Sequence, residues 1–452
     1  MRPGVGRSPD AFVIGGGLAG CEASWQLARA GLRVRLIEMR PGRSSPAHTG
    51  GMLAELVCSN SLRSDSLSNA VGLLKRELRE AGSLLLSCAD ACRVPAGGAL
   101  AVDRERFSGM VTSRVGSSPL IELVRREVED LDDPRLEEPL LVATGPLTSP
   151  AMSRSIERLT GCAHLYFYDA IAPVVESDSI DRSVVFEQSR YGRGEGSDYL
   201  NCPMDRETYD AFVSAVSSAG RTPPRVFEAE LHFGGCLPVE VIAASGGMAL
   251  AHGPMKPVGL VDPTTDRRPW AVVQLRRENE EGSAWNMVGF QTRLTGPEQR
   301  RVFRMIPGLE RARFLRLGSM HRNTFIDSPR LLDERLRLRG REGIRFTGQI
   351  TGVEGYVESI ASGLVAGILL ASDLRAAAVE PPPVETALGS LMAHLRKQEP
   401  RVFQPSNVNY SMMESPPEIR GRREKRAAIA ERSARAMAAW VERTGELLGW
   451  PT

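Results

Sequence analysis

Lysine is almost missing from this chain. Of its 57 basic residues only Lys75, Lys256, Lys397 and Lys425 are lysine, and the rest are arginine. A skew of that size reads as coding bias. It makes each surviving lysine worth weighing, because an ammonium differs from a guanidinium in shape and in readiness to lose a proton. Excess charge is also lacking: a net +2 over 452 residues gives no global case for a nucleic-acid partner. No uninterrupted apolar run is long enough to span a bilayer, and the leading MRPGVGRSPD has no apolar signal core. The expectation is a cytoplasmic protein with no membrane partner. Metal-ligand spacings are absent too. The seven cysteines (Cys21, Cys58, Cys88, Cys92, Cys162, Cys202 and Cys236) contain no zinc-type pattern, so reduced, mostly buried thiols are expected and no metal site.

What is present starts at residue 11, with AFVIGGGLAGCEASWQLARAGLRVRLIE. A short apolar run leads into Gly15-x-Gly17-x-x-Gly20. Small and apolar residues then recur at helical spacing to Gly31, and a second strand, Arg33–Ile37, closes on Glu38. Strand, glycine turn, helix, strand and acid in this register predict a dinucleotide site. The first glycine makes the turn, the second lets a pyrophosphate approach the backbone, and the third lets helix and strand pack closely. The residues expected to hold the cofactor are Gly15, Gly16, Gly17, Leu18, Ala19 and Gly20 at the helix start, whose N–H groups favour phosphate, and Glu38 on the ribose diol.

Further along, Cys58 sits in a polar stretch, Cys58-Ser59-Asn60-Ser61, before helical spacing over Leu73–Leu86. Leu140–Gly145 reads as a buried strand ending in Ala-Thr-Gly, a form that often returns the chain to a flavin. From residue 161 the character changes to aromatic strands, glycine turns and two Gly/Pro-dense stretches, FGGCLPVEVIAASGG and HGPMKPVGLVDP. Ala271–Arg276 and Ala284–Thr292 can pair as antiparallel strands. Dinucleotide logic returns at Gly343–Phe346, followed by the glycine turn Gly348–Tyr356 and a small-residue helix over Ser359–Ser372. The fold expected is therefore α/β: a discontinuous Rossmann-like FAD-binding domain (1–160 and 321–380), an inserted α+β domain (161–320), and C-terminal helices (381–452). The last helix is preceded by a basic cluster, Arg420, Arg422, Arg423, Lys425 and Arg426, which is either a solvated face or a contact for a phosphate backbone.

Several stretches taken together, AELVCSNSLRSD, YFYDAIAPVVE, DYLNCPM, GCLPVE, GPMKPVGL, NMVGFQT, MHRNTFI and TGQITGVEGYVES, resemble the folate-dependent, FAD-containing tRNA (uracil-5-)-methyltransferases. Motif order is preserved from about Val13 to beyond Asn407. The chain departs from the family pattern at Gly234, where an acid is usual, and at Ser245, where a basic residue is usual.

The resemblance implies methylation of carbon 5 of a uridine in tRNA, with the T-loop uridine as the expected target. 5,10-Methylenetetrahydrofolate supplies the carbon, and FAD reduced by NADPH or NADH supplies the hydride. Carbon 5 of uracil is a poor nucleophile until a group adds to carbon 6, and a second group must then take the carbon 5 proton. Cys58 and Cys236, the two cysteines within family motifs, are assigned that work, with Cys236 favoured as the nucleophile. Glu240 is open between catalysis and structure. The resemblance and the late glycine turn add Gly352, Val353, Glu354 and Tyr356 to the cofactor set. Lys256, His321 and Arg322 are expected to contact folate or an anionic substrate. The readings weighed against this one are the same chemistry on ribosomal RNA, a small-molecule FAD oxidoreductase, and a flavin-binding RNA chaperone with inert thiols.

Overall fold

Four consecutive apolar residues form β1 (Ala11–Ile14), and all four are buried, as a central parallel strand requires. The structure, a computed structural model, describes residues 8–45, 47–162, 165–222, 237–396 and 403–450, without the side chains of 167–170 and 321–322. Gly15, at φ +106°, turns the chain into α1 (Leu18–Arg29), and Gly31, at φ +77°, releases it into β2 (Val34–Glu38). β1 and β2 are parallel, with Phe12 opposite Arg35. β3 (Ile121–Arg125) extends the sheet beyond β2; its sequence fits helix or strand equally, and the pairing makes it strand. β4 (Leu140–Val142) lies on the other side of β1, and β5 (Arg341–Phe346), from far later in the chain, pairs with β4. The order β5-β4-β1-β2-β3 is doubly wound, and its direction of progress reverses between β1 and β4. The expected discontinuous Rossmann-like sheet is thus present, with Arg337–Leu338 added antiparallel at one edge.

The helical spacing over Leu73–Leu86 resolves into two helices, α2 (Ala70–Glu80) and α3 (Leu84–Ala91). Gly82, at φ +76°, makes the break, and the Ser83 hydroxyl caps α3 by accepting from the Leu86 N–H at 3.2 Å. α4 (Tyr356–Leu374) lies directly on α1. A Cβ added to Gly363 would sit 2.3 Å from the Ala19 carbonyl oxygen, and one on Gly367 2.7 Å from that of Ala23. Only glycine lets the two backbones come so close. By length and composition α4 could cross a membrane, its apolar residues being interrupted by Ser, Gly and Glu; 89% of its apolar window is buried inside the fold. α5 (Ala387–His394) and α6 (Arg422–Leu448) complete this half, α6 adding Ile429, Met437 and Trp440 to the same core.

A second core belongs to residues between 175 and 312. Its six-stranded sheet is antiparallel throughout. Ala271–Arg277 pairs antiparallel with Ala284–Met287, as expected for these two stretches, placing Leu275 opposite Met287. Phe212, Phe290 and Phe303 pack over one face with ring centroids 5.7 to 6.1 Å apart. A two-stranded antiparallel ribbon, Leu165–Ile171 with Ser319–Phe325, carries the chain out to this core and back.

Candidate active site

The carboxyl ends of β1 and β4 open on a cleft of about 1010 Å³, at the switch point of the sheet. The three fingerprint glycines do different work there. A Cβ on Gly15 would lie 2.4 Å from the Ala143 oxygen, and one on Gly20 only 1.8 Å from the Gly15 oxygen, so both serve close packing. A Cβ on Gly17 would meet nothing within 4 Å. Gly17 therefore faces open space at the start of α1, which has no side-chain cap of its own. Gly15, Gly17, Leu18 and Ala19 line the cleft, whereas Gly16 and Gly20 stand behind it. A bare helix N-terminus beside an open glycine and a narrow cleft fits a dinucleotide pyrophosphate.

Glu38 also lines this cleft and is tied into the turn beside it. Its carboxylate accepts from the Gly16 N–H at 2.7 Å and from the Arg40 N–H and Nε at 2.9 Å each. Burial alone would raise its pKa; the Arg40 guanidinium and the backbone donors outweigh that and hold it below the usual carboxylate value. Arg40, 2% exposed, continues to Glu55 at 2.9 Å. From the late turn, the residues on the cleft wall are Gly348, Gln349, Tyr356 and Ser359. Gly352 and Val353, expected in the cofactor set, do not line it. Gly352 (φ +88°) is pressed against the Phe403 ring, and Val353 is wholly buried. Glu354 is bonded by Gln349 Nε2 at 2.5 Å and faces a neighbouring cleft.

That second cleft, of about 1330 Å³, lies between the two cores and shares Val57, Gln349 and Tyr356 with the first. Cys58 is on its wall. The Tyr356 hydroxyl accepts the N–H groups of Cys58 (2.8 Å) and Ser59 (3.2 Å), and lies 2.9 Å from the Cys58 sulfur. With its oxygen occupied by two donors, the phenol proton is left for the sulfur. Burial, reinforced by charge at Cys58, raises the Tyr356 pKa well above the usual value, so it remains a donor. Three arginines hold the same loop: Arg104 on the Leu56 carbonyl (2.5 Å), Arg316 on the Val57 carbonyl (3.1 Å), and Arg276 on Ser59 Oγ (2.8 Å) and Asn60 Oδ1 (2.9 Å). Burial lowers Arg276 and Arg316 from the ordinary guanidinium value, and negative charge at Cys58 opposes it. Permanent cations around a thiol favour its thiolate. Two amide nitrogens on this wall, Asn286 Nδ2 and Asn323 Nδ2, belong to residues 3% exposed and have no hydrogen-bond partner among the described residues. Buried donors of that kind suit a ring bearing carbonyl oxygens.

The remaining expected residues divide clearly. Cys236 and Gly234 lie outside the described residues. Lys256 is exposed, lines neither cleft and has no ion pair among the described residues. His321 and Arg322 lie on the ribbon strand opposite Asp169 and Tyr168, two positions and one position before Asn323. Glu240 is structural: fully buried, it accepts from Thr292 Oγ1 and the Arg293 N–H, both at 2.8 Å. Cys21, Cys88, Cys92 and Cys202 are buried, and burial pushes the thiols of Cys21, Cys88 and Cys202 up. Arg104, Arg276, Arg316, Asn286 and Asn323 carry no local signal in sequence beyond the motif stretches that contain the two asparagines.

Comparison with known proteins follows the same lines. The family model described as glucose inhibited division protein A matches residues 10–378. Methylenetetrahydrofolate–tRNA-(uracil-5-)-methyltransferase TrmFO of Geobacter sulfurreducens is 58% identical over 432 residues, covering 95% of this chain and 98% of the relative. The protein of the same name from Moorella thermoacetica is 52% identical over 445 residues, covering 98% and 100%. Among solved structures, Aquifex aeolicus GidA in its form II crystal superposes with a TM-score of 0.69 at 15% identity, over 98% of this chain and 75% of that one, a likeness of fold.

Proposed function

The chain belongs to the methylenetetrahydrofolate–tRNA-(uracil-5-)-methyltransferase family within the glucose inhibited division protein A group, and on that premise we propose that it methylates carbon 5 of a uridine in tRNA, with methylenetetrahydrofolate as carbon donor. The observation that carries the reading is the placement of Cys58 in a cleft that adjoins the dinucleotide cleft and shares Tyr356 with it. FAD, when bound, supplies the hydride that completes the methyl group. Gly17, the start of α1 and Glu38 would hold it, and NADPH or NADH is the reductant in this reading. The T-loop uridine as target and a cytoplasmic location belong to the same proposal. So does the division into a flavin-binding part (1–160 and 321–380), an insertion (161–320) and C-terminal helices (381–452), which the two separate cores support.

The chain's own groups then act as follows. Cys236 adds as thiolate to carbon 6 of uracil, making carbon 5 nucleophilic, and leaves by elimination at the end. Cys58, held as thiolate by the three arginines and the Tyr356 proton, takes the carbon 5 proton. Asn286 and Asn323 donate to carbonyl oxygens of the base or the folate ring, which fixes the ring and excludes water. Chain reach supports the pairing of the two thiols in one site. Val239 bonds to the Gln291 carbonyl on the Cys58 cleft at 2.7 Å, and the three residues from Cys236 to Val239 span at most about 11 Å.

The test is mass mapping of tRNA and ribosomal RNA after incubation with methylenetetrahydrofolate and NADPH. A methylated tRNA fragment is expected from the wild type and none from Cys58→Ser or Cys236→Ser, both retaining flavin. Methylation of ribosomal RNA alone would move the target. NADPH consumption with no RNA product would favour a small-molecule oxidoreductase.

A further inference from the structure

The basic cluster at the head of α6 is not part of either cleft. Arg422, Arg423 and Arg426 line a groove of about 950 Å³ with Arg76, opposed by a single acid, Glu431. Elsewhere in this arginine-rich chain guanidinium groups are commonly matched by carboxylates, as in Arg335 with Asp373 and Arg341 with Asp132 and Glu138. Among the described residues no ion pair is made by Arg420, Arg422, Arg423, Lys425 or Arg426. The bonds that do form are to neutral groups. Arg426 donates to the Ser68 carbonyl at 2.8 Å and lies 5.2 Å from the Tyr410 ring centroid, and Arg76 donates to the Ala430 carbonyl at 2.6 Å. Arg76 Nε is buried in the groove wall without a hydrogen-bond partner among the described residues. These contacts hold Arg426 and Arg76 in the groove wall, while Arg422 and Arg423 stand exposed at its rim.

The groove is joined to the Cys58 cleft by two chain segments. Arg63 and Asn407 line that cleft, while Leu67, and Tyr410 through its bond to the Leu67 carbonyl, stand at the groove. Three and four residues of chain bridge at most about 10–14 Å. A row of cations without ion pairs among the described residues, beginning that close to the wall of the Cys58 cleft, suits a strand that carries one negative charge at every step. We propose that the groove formed by Arg76, Arg422, Arg423 and Arg426 binds the phosphate backbone of the substrate RNA flanking the uridine in the Cys58 cleft. This rests on the reading of the chain as an RNA methyltransferase. The contacts are to phosphate and position the strand without reading its bases.

The experiment measures binding of an unmodified tRNA transcript to the full-length flavoprotein over a range of salt concentrations. Arg422→Gln/Arg423→Gln is compared with wild type, with the same variant carrying Arg426→Gln, and with a remote control of equal charge loss, Arg135→Gln/Arg158→Gln. The expected result is a Kd raised by about tenfold in the first double variant and further in the triple. Log Kd against log salt should become shallower by about 0.7–0.9 per lost contact. The control should keep wild-type affinity, and all variants should retain flavin. Unchanged Kd and slope in the triple variant would overturn the proposal, as would an equal loss in the control. Loss of binding to anionic lipid vesicles with tRNA binding intact would overturn it as well. A wild type that methylates no RNA fails the underlying reading instead, so the two failures are distinct.

Discussion

Lys75 explains its own survival in a chain that otherwise uses arginine. It is fully buried, and its ammonium donates to the carbonyls of Leu62 (3.1 Å) and Arg63 (3.0 Å) with Asp65 at 3.4 Å. Three acceptors around one point suit a tetrahedral cation, and a planar guanidinium has no room there. Lys75→Arg should lower unfolding free energy by about 3 kcal/mol, as expected when a buried ion pair is misfitted; a urea midpoint equal to wild type would contradict this. The fingerprint glycines yield a paired prediction at the same scale. Gly17→Val should give a folded protein without flavin absorbance, because its side chain enters open cleft. Gly20→Ala should fail at folding, because its Cβ meets the Gly15 oxygen. A yellow Gly17→Val protein would remove the cofactor from this turn. Residues of this kind are legible in sequence because each carries a rare type in a fixed pattern. Arg104, Arg276 and Arg316 are not legible, since they are three arginines in a chain full of them and only the tertiary fold brings them to Cys58. Gly352 misleads for a related reason: its glycine serves a left-handed turn against Phe403 and not the cleft.

Between elements, Glu77 is the junction of three helices. From α2 its carboxylate accepts the N–H groups of Ala387 (2.8 Å) and Leu388 (2.7 Å) at the start of α5, and the Ser433 hydroxyl of α6. Burial pushes its pKa up to about 7, against the pull of those donors. A carboxyl raised in the folded state binds its proton more tightly there than in the unfolded chain. Its contribution to stability is therefore full below the unfolded value and is lost as pH rises through about 7. The change is on the order of 3 kcal/mol. Denaturation midpoints at about pH 5 and about pH 8 should differ more for wild type than for Glu77→Gln; the same difference in both would exclude Glu77 as the source. The helices themselves were readable from apolar spacing, and the break at Gly82 was not, because a single glycine inside a periodic stretch is compatible with a continuous helix. Nor does sequence show that Gly363 and Gly367 are the contact face of α4, since that depends on which helix lies opposite.

The molecule as a whole is two cores joined by a ribbon, with Cys58 on the wall of the cleft between them. The first strand–turn–helix–strand unit was legible because every part lies within one short stretch. The return of glycine turns after residue 340 likewise lies where the late strand, Arg341–Phe346, joins the sheet. The shape of the second core was less legible: its six strands are short and pair across long loops, so periodicity identifies strands without giving their order.

That division has a consequence for synthesis. α1 emerges from the ribosome early, but α4, which covers it through Gly363 and Gly367, comes some three hundred residues later. At ~5–20 residues per second the interval is on the order of tens of seconds. Throughout it the nascent chain holds a glycine loop with only part of its cleft, and the apolar face of α1 stands open to any chaperone within reach. The flavin pocket is therefore a late product of translation, closed only once the chain has been made through α4.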